Sequence, residues 1–506
     1  MSSSAAPTSA TPQSSSEFVK AMSLTDATML VAGSMIGSGI FIVSASMARG
    51  VPSPMWLMLA WLLSGVMTLL GALAYGEMAA MYPKAGGQYV FLRESMGPLM
   101  GFLYGWTLFL VIQTGTIAAV AVAFGRFLGV LLPSVSPDRF GWFPQADVCI
   151  AALGCTEPAN AILVGLTPQR LVGLLSIAVL TWVNLRGVRE GKLVQTTLTI
   201  VKTGALAMLI LLGLTIGRNH EAIAANFSSG HFSGDWTLSY TLIVAFGAAM
   251  VGSLFSSDAW NSVTFAAAEV KDPSRNLPLA LLLGTGLVSL LYIIANVSYL
   301  SVLPFDGVAE GTTVLARGIR HATQDRVATA VSSTIFGASG AVVMAVAILI
   351  STFGCNNGLI LSGARVLYAM ARDGLFFRKA GELNRNAVPA FALIVQSIWT
   401  ALLCLTGTYG QLLNYVIFAA LLFYAFTTAG LFILRAKRPD VPRPYKAVGY
   451  PLLPLLYIAL CIGVMILLLL SPTTRTESIS GLVLVLLGIP VFYLWRRAER
   501  PMTTAA

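Results

Sequence analysis

An apolar stretch near the N-terminus, from Met29 to Val43, is interrupted at its centre by residues 33–39, which read GSMIGSG. Three glycines and two serines in seven residues predict a break in a helix, because glycine costs about 1 kcal/mol per position relative to alanine. Within a lipid bilayer, a break leaves backbone N–H and C=O groups unsatisfied unless they line a cavity and meet a ligand there. The interruption therefore restricts the chain to folds that use irregular backbone at membrane depth.

The composition of the chain is that of a membrane protein. Of its 506 residues, 56% are hydrophobic and 10% are charged, and the mean hydropathy is +0.80, whereas a soluble domain carries about 25% charged residues. A membrane-spanning helix needs about 20 apolar residues. Twelve runs are near that length: 25–47, 54–80, 98–131, 168–187, 193–217, 240–270, 277–303, 340–364, 389–406, 411–434, 451–470 and 478–495. The sequence therefore predicts an all-α polytopic membrane protein with 12 transmembrane helices.

A second apolar run, 240–270, is interrupted by residues 252–261, which read GSLFSSDAWN. If two units of five spans repeat with opposite topology, the first and sixth spans occupy corresponding positions. A pair of interrupted spans in such positions indicates the binding site of a secondary transporter. Close packing of membrane helices also uses small residues, but the matched spacing and the presence of Asp258 favour a binding site.

Lysine and arginine are distributed unevenly between the two sides of the predicted spans. With the N-terminus inside, 21 of them fall in inner segments, 9 in outer segments and Lys202 alone within a span. Cytoplasmic loops carry the excess of such residues, so both termini are predicted to be cytoplasmic. The same distribution explains the net charge of +10 without a nucleic acid partner. Residues 1–16 lack the basic start and apolar core of a signal peptide, so we expect disordered tails at 1–22 and 501–506.

There is no sign in the sequence of a metal centre or a cofactor. His220, His231 and His321 all map to outer loops, so the predicted spans lack imidazole ligands for an intramembrane metal. We therefore predict no metal, no cofactor and no enzymatic activity. An intramembrane hydrolase with Ser38 as nucleophile is kept as an alternative. Its base would be Lys202, because no histidine lies within a predicted span.

The five cysteines form no metal or redox motif. Cys355, Cys404 and Cys461 lie in apolar spans, where a thiol behaves as a small buried hydrophobe. Cys149 and Cys155 share the longest outer loop and form a disulfide there only if the compartment is oxidising. The sequence leaves that pairing open.

Several segments resemble one family of membrane proteins. Residues 33–41, GSMIGSGIF, resemble the G-x-x-x-G-x-G-I-F signature of the amino acid–polyamine–organocation superfamily. Three further segments are similar to the superfamily or to its L-type amino acid transporter branch: 75–78, YGEM; 82–89, YPKAGGQY; and 260–278, which contains WN and EVKDPSRNLP. The similarity extends over about residues 22–500.

This resemblance implies the inverted-repeat fold of the leucine transporter, in which helices 1 and 6 are broken. It divides the chain into a transport core at 23–434, with repeats at about 23–217 and 237–434, and helices 11 and 12 at 435–500.

The resemblance also implies a function. We expect a sodium-independent secondary active transporter in the cell membrane, plasma or inner, that exchanges neutral amino acids by alternating access. A proton-coupled symporter of amino acids, amines or polyamines on the same fold is the main alternative, and a nutrient sensor is more remote. Animal L-type members dock a glycoprotein heavy chain through an outer-loop cysteine. Because Cys149 and Cys155 can pair with each other, we do not expect that partner here.

An amino acid offers a carboxylate and an ammonium group to the two halves of a broken helix. The second half presents free N–H groups and a partial positive charge. We therefore predict that the backbone N–H groups of Ser38 and Gly39, with the Ser38 hydroxyl, bind the carboxylate. The first half ends in free carbonyl groups, so those of Met35 and Ile36 are predicted to bind the ammonium. Gly37 and Gly39 let the ligand approach the backbone.

In the sixth span, carbonyl groups near Phe255 and Asp258 are predicted to complete the ammonium site. By resemblance, Phe255 also forms the outer gate over the ligand. We expect Asp258 to cap the N-terminus of a half-helix, which is common for aspartate, although contact with a cationic substrate or transfer of a proton is an alternative. Six further side chains are candidates for the pocket around the substrate side chain: Gln113, Thr116, Asn356, Asn357, Ala420 and Leu421.

Lys202 is the one basic residue inside a predicted span. It lies about 14 Å into a helix that starts at Leu193, at 1.5 Å per residue, and so near the middle of the bilayer. Burying a lysine there costs on the order of 3 kcal/mol unless it is paired, and such groups are functional candidates. The resemblance implies that Lys202 replaces sodium. The expected partners are carbonyls near Gly33 and polar groups around Ser351, Thr352 and Cys355.

Overall fold

The computed structural model describes residues 18–135, 146–148, 162–234, 237–406 and 409–498. Cys149 and Cys155 and most of the predicted tails lie outside these ranges, so the disulfide and tail predictions are not addressed by the structure. The described residues are helical apart from loops and one short antiparallel pair, β1 (Ala146–Val148) and β2 (Ile162–Val164).

The α-helices of the described residues follow one another without a domain-sized interruption. In chain order they are α1 (Leu24–Met35), α2 (Gly39–Gly50), α3 (Pro54–Met81), α4 (Gln88–Met96), α5 (Pro98–Thr107), α6 (Gln113–Leu131), α7 (Pro168–Leu185), α8 (Val188–Leu214), α9 (His220–Phe227), α10 (Ser229–Ser233), α11 (Tyr240–Ser256), α12 (Ser262–Phe265), α13 (Pro273–Val302), α14 (Val314–Arg317), α15 (Val327–Arg372), α16 (Ala390–Cys404), α17 (Tyr409–Lys437), α18 (Leu452–Leu470) and α19 (Arg475–Ala498). A π-helical turn at Leu108–Ile112 joins α5 to α6.

The helices are those of a polytopic membrane protein. Ten helical segments of the described residues are long and apolar enough to cross a bilayer, and α11 and α16 are two shorter apolar helices. Each of the twelve apolar runs in the sequence coincides with one of these segments. The longest, α15, is kinked at Gly337, whose φ of 64° is left-handed.

The first predicted interruption is present. The helix α1 begins at a capping box in which Ser23 and Asp26 bond each other's backbone N–H groups, and it ends at Met35. The helix α2 begins at Gly39. Ile36, between them, has a ψ of 86°, which is outside the helical range.

The second interruption separates α11, which ends at Ser256, from the four-residue helix α12. Ala259 has a φ of 62° in this segment, a left-handed conformation that is uncommon for any residue with a Cβ atom. The predicted N-cap role of Asp258 is wrong, because α12 starts four residues later and its N-cap position is Asn261, without a side-chain cap.

Buried ion pairs fix the ends of several helices. Glu77 at the end of α3 is fully buried and pairs with Arg435 of α17 at 2.5 Å and with Arg443 at 3.3 Å. It also accepts the backbone N–H of Ala447 at 2.7 Å. A buried carboxylate is tolerated only when it is paired in this way, so Glu77 joins α3, α17 and the segment that leads to α18.

The residues just before α1, 18–23, are attached to the end of the second broken helix. We call them the N-terminal segment. Met22 forms a parallel β-bridge with Val270, and the backbone N–H groups of Ala21 and Met22 donate to the Glu269 carbonyl at 3.0 and 2.9 Å. The side chain of Glu269 accepts from Arg365 of α15 at 2.8 Å, and both side chains are fully buried. The N-terminal segment, the second broken helix and α15 are therefore held together at this end.

Candidate functional site

The two interruptions meet at a tyrosine of α13. The Tyr292 hydroxyl lies 2.9 Å from the Met35 carbonyl oxygen at the end of α1 and 3.1 Å from the Ser256 carbonyl oxygen at the end of α11. Gly39 packs so closely against Ser256 that a Cβ atom at position 39 would collide with its side chain. The two breaks therefore lie in contact and form one site.

The start of α2 carries donors that are open to a ligand. Within the described part of the chain, the backbone N–H groups of Ser38 and Gly39 have no hydrogen-bond acceptor. The Ser38 hydroxyl is buried and lies 3.1 Å from the Tyr409 hydroxyl. Free N–H groups at the positive end of a twelve-residue helix can bind an anionic group such as a carboxylate.

The carbonyl groups of the first break differ from the sequence prediction. The Met35 carbonyl accepts from the Gly37 N–H at 2.8 Å as well as from Tyr292. The Ile36 carbonyl accepts from Lys202 at 2.7 Å and from the Ser351 hydroxyl at 3.1 Å. Both carbonyls already have two donors, so in this conformation they are not open to a substrate ammonium.

Lys202 of α8 lies fully buried against the first break. Its ammonium donates to the carbonyls of Gly33 and Ile36 and lies 3.4 Å from the carbonyl of Ser351 on α15. These acceptors match the three donors of a lysine ammonium, so its hydrogen bonds are satisfied without a carboxylate partner. Thr352, an expected partner, bonds instead within its own helix, to the Ile348 carbonyl at 2.9 Å.

Next to Lys202, α15 also contacts the first break through Cys355, whose thiol donates to the Ser34 carbonyl at 3.0 Å. An added Cβ at Gly37 would lie 2.9 Å from the same sulfur. Ser38 and Lys202 thus bond to different groups, the hydroxyl to Tyr409 and the ammonium to backbone carbonyls.

A polar cavity lies at the second break. It is lined by Gln88, Tyr104, Leu108, Ile112, Gln113, Thr116, Asp258, Ala259, Asn261, Phe265, Leu359, Ala420 and Tyr424. Its volume is about 10 Å³, which is room for one water molecule. A neighbouring cavity of about 20 Å³ shares Asp258 and Tyr424 and is also lined by Leu421. An amino acid therefore fits only if side chains around the second break move.

Asp258 lies between these two cavities and accepts a hydrogen bond from the Tyr424 hydroxyl of α17. Asn261, five residues after the end of α11, donates to the Gln88 side chain at 2.7 Å. Two pairs of polar side chains in the cavity wall are therefore already hydrogen-bonded to each other, and Asp258 is the one carboxylate among the lining residues.

The candidate pocket residues divide into two groups. Gln113, Thr116 and Ala420 line the cavity. Asn357 does not: it bonds the Gly191 carbonyl and the Gln195 side chain, both at 3.1 Å. The remaining candidate, Asn356, donates to the Ile117 carbonyl at 3.3 Å and is also absent from the cavity wall. Helical periodicity explains the difference, because adjacent residues of α15 face different neighbours.

Aromatic rings lie on the side of the first break where α17 begins. Phe255 is buried, and its ring centroid is 6.0 Å from that of Tyr409 in an edge-on arrangement. The guanidinium of Arg126 lies 5.6 Å from the Tyr409 ring. The outer-gate role of Phe255 stays a prediction, and the structure shows that its ring packs against that of Tyr409.

Sequence reasoning missed the tyrosines at 292, 409 and 424. Each bonds a residue of a break from a helix that is distant in the sequence. The one signal for Tyr292 and Tyr424 is a hydroxyl group inside an apolar run, since a buried tyrosine needs a hydrogen-bond partner. Tyr409 lies just before the run 411–434 and lacks that signal.

A helical membrane protein with two broken helices joined at a buried polar site has the architecture of a secondary transporter. The chain matches the family model for amino acid permeases over residues 22–492. It is 30% identical to the serine/threonine exchanger SteT of Bacillus subtilis, with 94% of this chain and 96% of that protein covered.

Two mammalian transporters are similar to the same extent. The human large neutral amino acids transporter small subunit 2 is 30% identical, with 94% of this chain and 80% of that protein covered. The rat b(0,+)-type amino acid transporter 1 is 28% identical, with 96% and 91% covered. The chain belongs to the amino acid permease family.

Proposed function

We propose that the protein is a sodium-independent exchanger of neutral amino acids that works by alternating access. The observation that carries this proposal is the junction of the two broken helices at Tyr292, next to the unpaired N–H groups of Ser38 and Gly39. These donors suit the carboxylate that every amino acid shares. We propose that the wall at the second break rearranges to admit side chains that differ between substrates.

The similar proteins favour exchange of neutral amino acids. SteT is named an exchanger of serine and threonine, and the human relative a transporter of large neutral amino acids. The polar cavity wall, with Gln113, Thr116 and Asn261, is compatible with a small hydroxylated substrate.

Lys202 is the reason to propose sodium independence. Its ammonium donates hydrogen bonds to the carbonyls of Gly33 and Ile36 and lies 3.4 Å from the carbonyl of Ser351. Carbonyl oxygens at the end of a half-helix are ligands that a sodium ion uses in related architectures. A lysine fixed there supplies a positive charge in place of a cation, so no sodium ion is needed to stabilise the break.

We further propose twelve spans, ten of them forming two inverted five-span repeats, with both termini in the cytoplasm of a cell-membrane protein. The ten long apolar segments and the two shorter helices α11 and α16 supply that number. The excess of lysine and arginine in alternate loops supports the orientation. We propose no enzymatic activity and no heavy-chain partner.

Counterflow in proteoliposomes tests this function. Vesicles loaded with unlabelled serine or leucine should take up the labelled amino acid many times faster than empty vesicles. Replacing external sodium with choline should leave the rate unchanged. Uptake that requires sodium, or that is equal in loaded and empty vesicles, contradicts the proposal.

Asp258 supports a second candidate, a proton-coupled symporter of amino acids or amines. Its carboxylate lines the cavity at the second break and bonds Tyr424, with no basic side chain among the lining residues. Uptake into empty vesicles driven by a pH gradient alone would favour this candidate over exchange. Hydrolysis of the labelled substrate would indicate an enzyme instead, and saturable binding without flux would indicate a sensor.

A further inference from the structure

A third cavity, larger than the two at the second break and separate from them, is lined in part by the N-terminal segment. It has a volume of about 580 Å³. Its wall is built from the N-terminal segment, the loop before α4, α4 itself and the end of α15. We call it the basic pocket, and its lining residues are Phe18, Lys20, Pro83, Lys84, Ala85, Val90, Arg93, Ala268, Tyr368, Ala369, Arg372 and Asp373.

The charge of the basic pocket is only partly compensated. Four of its lining residues are cationic and one, Asp373, is acidic. Asp373 accepts from the Tyr89 hydroxyl at 2.7 Å and pairs with Arg93, which also pairs with Glu94 at 2.7 Å. Arg93 is therefore neutralised by two carboxylates.

The other three cations, Lys20, Lys84 and Arg372, are exposed and make no ion pair within the described residues. They come from three separate segments of the chain and meet only in the folded protein. A concave surface that collects three uncompensated positive charges favours an anion that can accept hydrogen bonds from several of them at once.

We propose that the basic pocket binds an anionic phosphate group. Phosphate oxygens accept hydrogen bonds from several lysines and arginines at once, and arginine binds phosphate in a bidentate manner. Basic pockets at the membrane surface between helices take the phosphate of lipid head groups. The lining rings of Phe18 and Tyr368, with Val90, offer apolar surface beside the charges, which suits the start of an acyl chain. A lipid head group and a free phosphate share this chemistry.

A phosphate in the pocket would contact the N-terminal segment, the loop before α4 and the end of α15 together. Because a ligand that binds only the folded state stabilises it, binding should raise the temperature of unfolding. The proposal concerns binding alone and does not depend on the substrate, the coupling or the orientation proposed above.

The test uses the purified full chain in a neutral detergent, with thermal unfolding and titration as readouts. Three probes are compared: dioctanoyl phosphatidic acid, inorganic phosphate and dioctanoyl phosphatidylcholine. We expect phosphatidic acid to bind and to raise the unfolding temperature, and phosphatidylcholine to do neither. If inorganic phosphate binds as tightly as phosphatidic acid, the pocket takes a free phosphate. If only phosphatidic acid binds, the pocket takes the phosphate of a lipid head group.

Variants locate the site. The double substitution Lys84→Gln with Arg372→Gln should raise the Kd for the bound probe about tenfold or more, because two charges are lost. The matched control is Lys379→Gln with Arg385→Gln, which removes one lysine and one arginine that are exposed elsewhere. Its Kd should equal that of the parent.

If the double variant fails to fold, Lys20→Gln provides the second test, because Lys20 is exposed in the N-terminal segment outside every helix. We expect its Kd to rise about threefold or more. Equal binding of phosphatidylcholine, no binding of either anion, or equal losses in pocket and control variants would overturn the proposal.

Discussion

Lys202 is the residue on which the proposed sodium independence depends. Its ammonium is buried at the middle of α8 and is satisfied by backbone carbonyls of the first break and of α15. Hydrogen bonds to a charged group contribute about 1.5–3 kcal/mol each. They offset part of the cost of burying the charge in the membrane.

The substitution Lys202→Met keeps a long side chain but removes the charge. The Gly33 carbonyl then loses the lysine donor and the Ile36 carbonyl keeps only that of Ser351, so we expect the first break to lose its compact form. We expect counterflow to fall at least tenfold, which corresponds to about 1.4 kcal/mol, while the protein still inserts and purifies as a single species. Full activity in this variant, or sodium stimulation of the parent, contradicts the role given to Lys202.

Gly39 tests whether the ligand site needs the close approach of the two breaks. A Cβ at this position collides with Ser256, so Gly39→Val should abolish amino acid binding without preventing membrane insertion. The control is Gly204→Ala on α8, where an added Cβ meets no atom within 4 Å. In Gly39→Ala, the additional substitution Ser256→Gly should restore part of the binding, because it removes the side chain that the new Cβ meets. Parental affinity in Gly39→Val would contradict the carboxylate site.

The Tyr409 hydroxyl lies 3.1 Å from the Ser38 hydroxyl, so at the proposed site we expect it to compete with the substrate for that group. Tyr409→Phe removes this competitor and keeps the ring beside Phe255. Because a net hydrogen bond is worth about 0.5–1.5 kcal/mol, we expect the Kd for the amino acid to fall about two- to tenfold. Equilibrium binding measures this, with Tyr415→Phe on the same helix as control. A higher Kd would mean that Tyr409 itself holds the ligand.

At the scale of helices, the interruptions were predictable and their partners were not. Glycine and serine clusters indicated both breaks, since these residues weaken a helix locally. The contact from Tyr292 to Met35 joins positions 257 residues apart, and no local pattern encodes such a distance. Asp258 was assigned to a cap because the sequence does not show that α12 begins four residues further on.

Tyr292 on α13 joins α1 to α11, and its removal tests that junction. Tyr292→Phe leaves the Met35 carbonyl with Gly37 as its one donor and the Ser256 carbonyl without the tyrosine donor; an unsatisfied buried group costs about 1–3 kcal/mol. We expect a lower unfolding temperature in detergent and slower counterflow. Tyr299→Phe is the control, because its hydroxyl bonds one carbonyl, that of Ile40, at 3.3 Å. Equal effects of the two substitutions would contradict the role of Tyr292 in joining α1 to α11.

At the scale of the whole molecule, the structure is closed around the site. The cavities at the second break hold about 10 and 20 Å³. The aromatic pair Phe255 and Tyr409 lies on one side of the breaks, and the Arg365–Glu269 pair holds the N-terminal segment near the other. Transport by alternating access requires each closure to open in turn around a central ligand.

The central claim is that the amino acid binds where the two broken helices meet, and a cryo-electron microscopy structure with bound substrate tests it most directly. We predict that the substrate carboxylate lies within hydrogen-bond distance of the Ser38 and Gly39 N–H groups and that its side chain points toward Asp258 and Gln113. Density for the substrate at another place, with both breaks packed as they are without it, would contradict the claim.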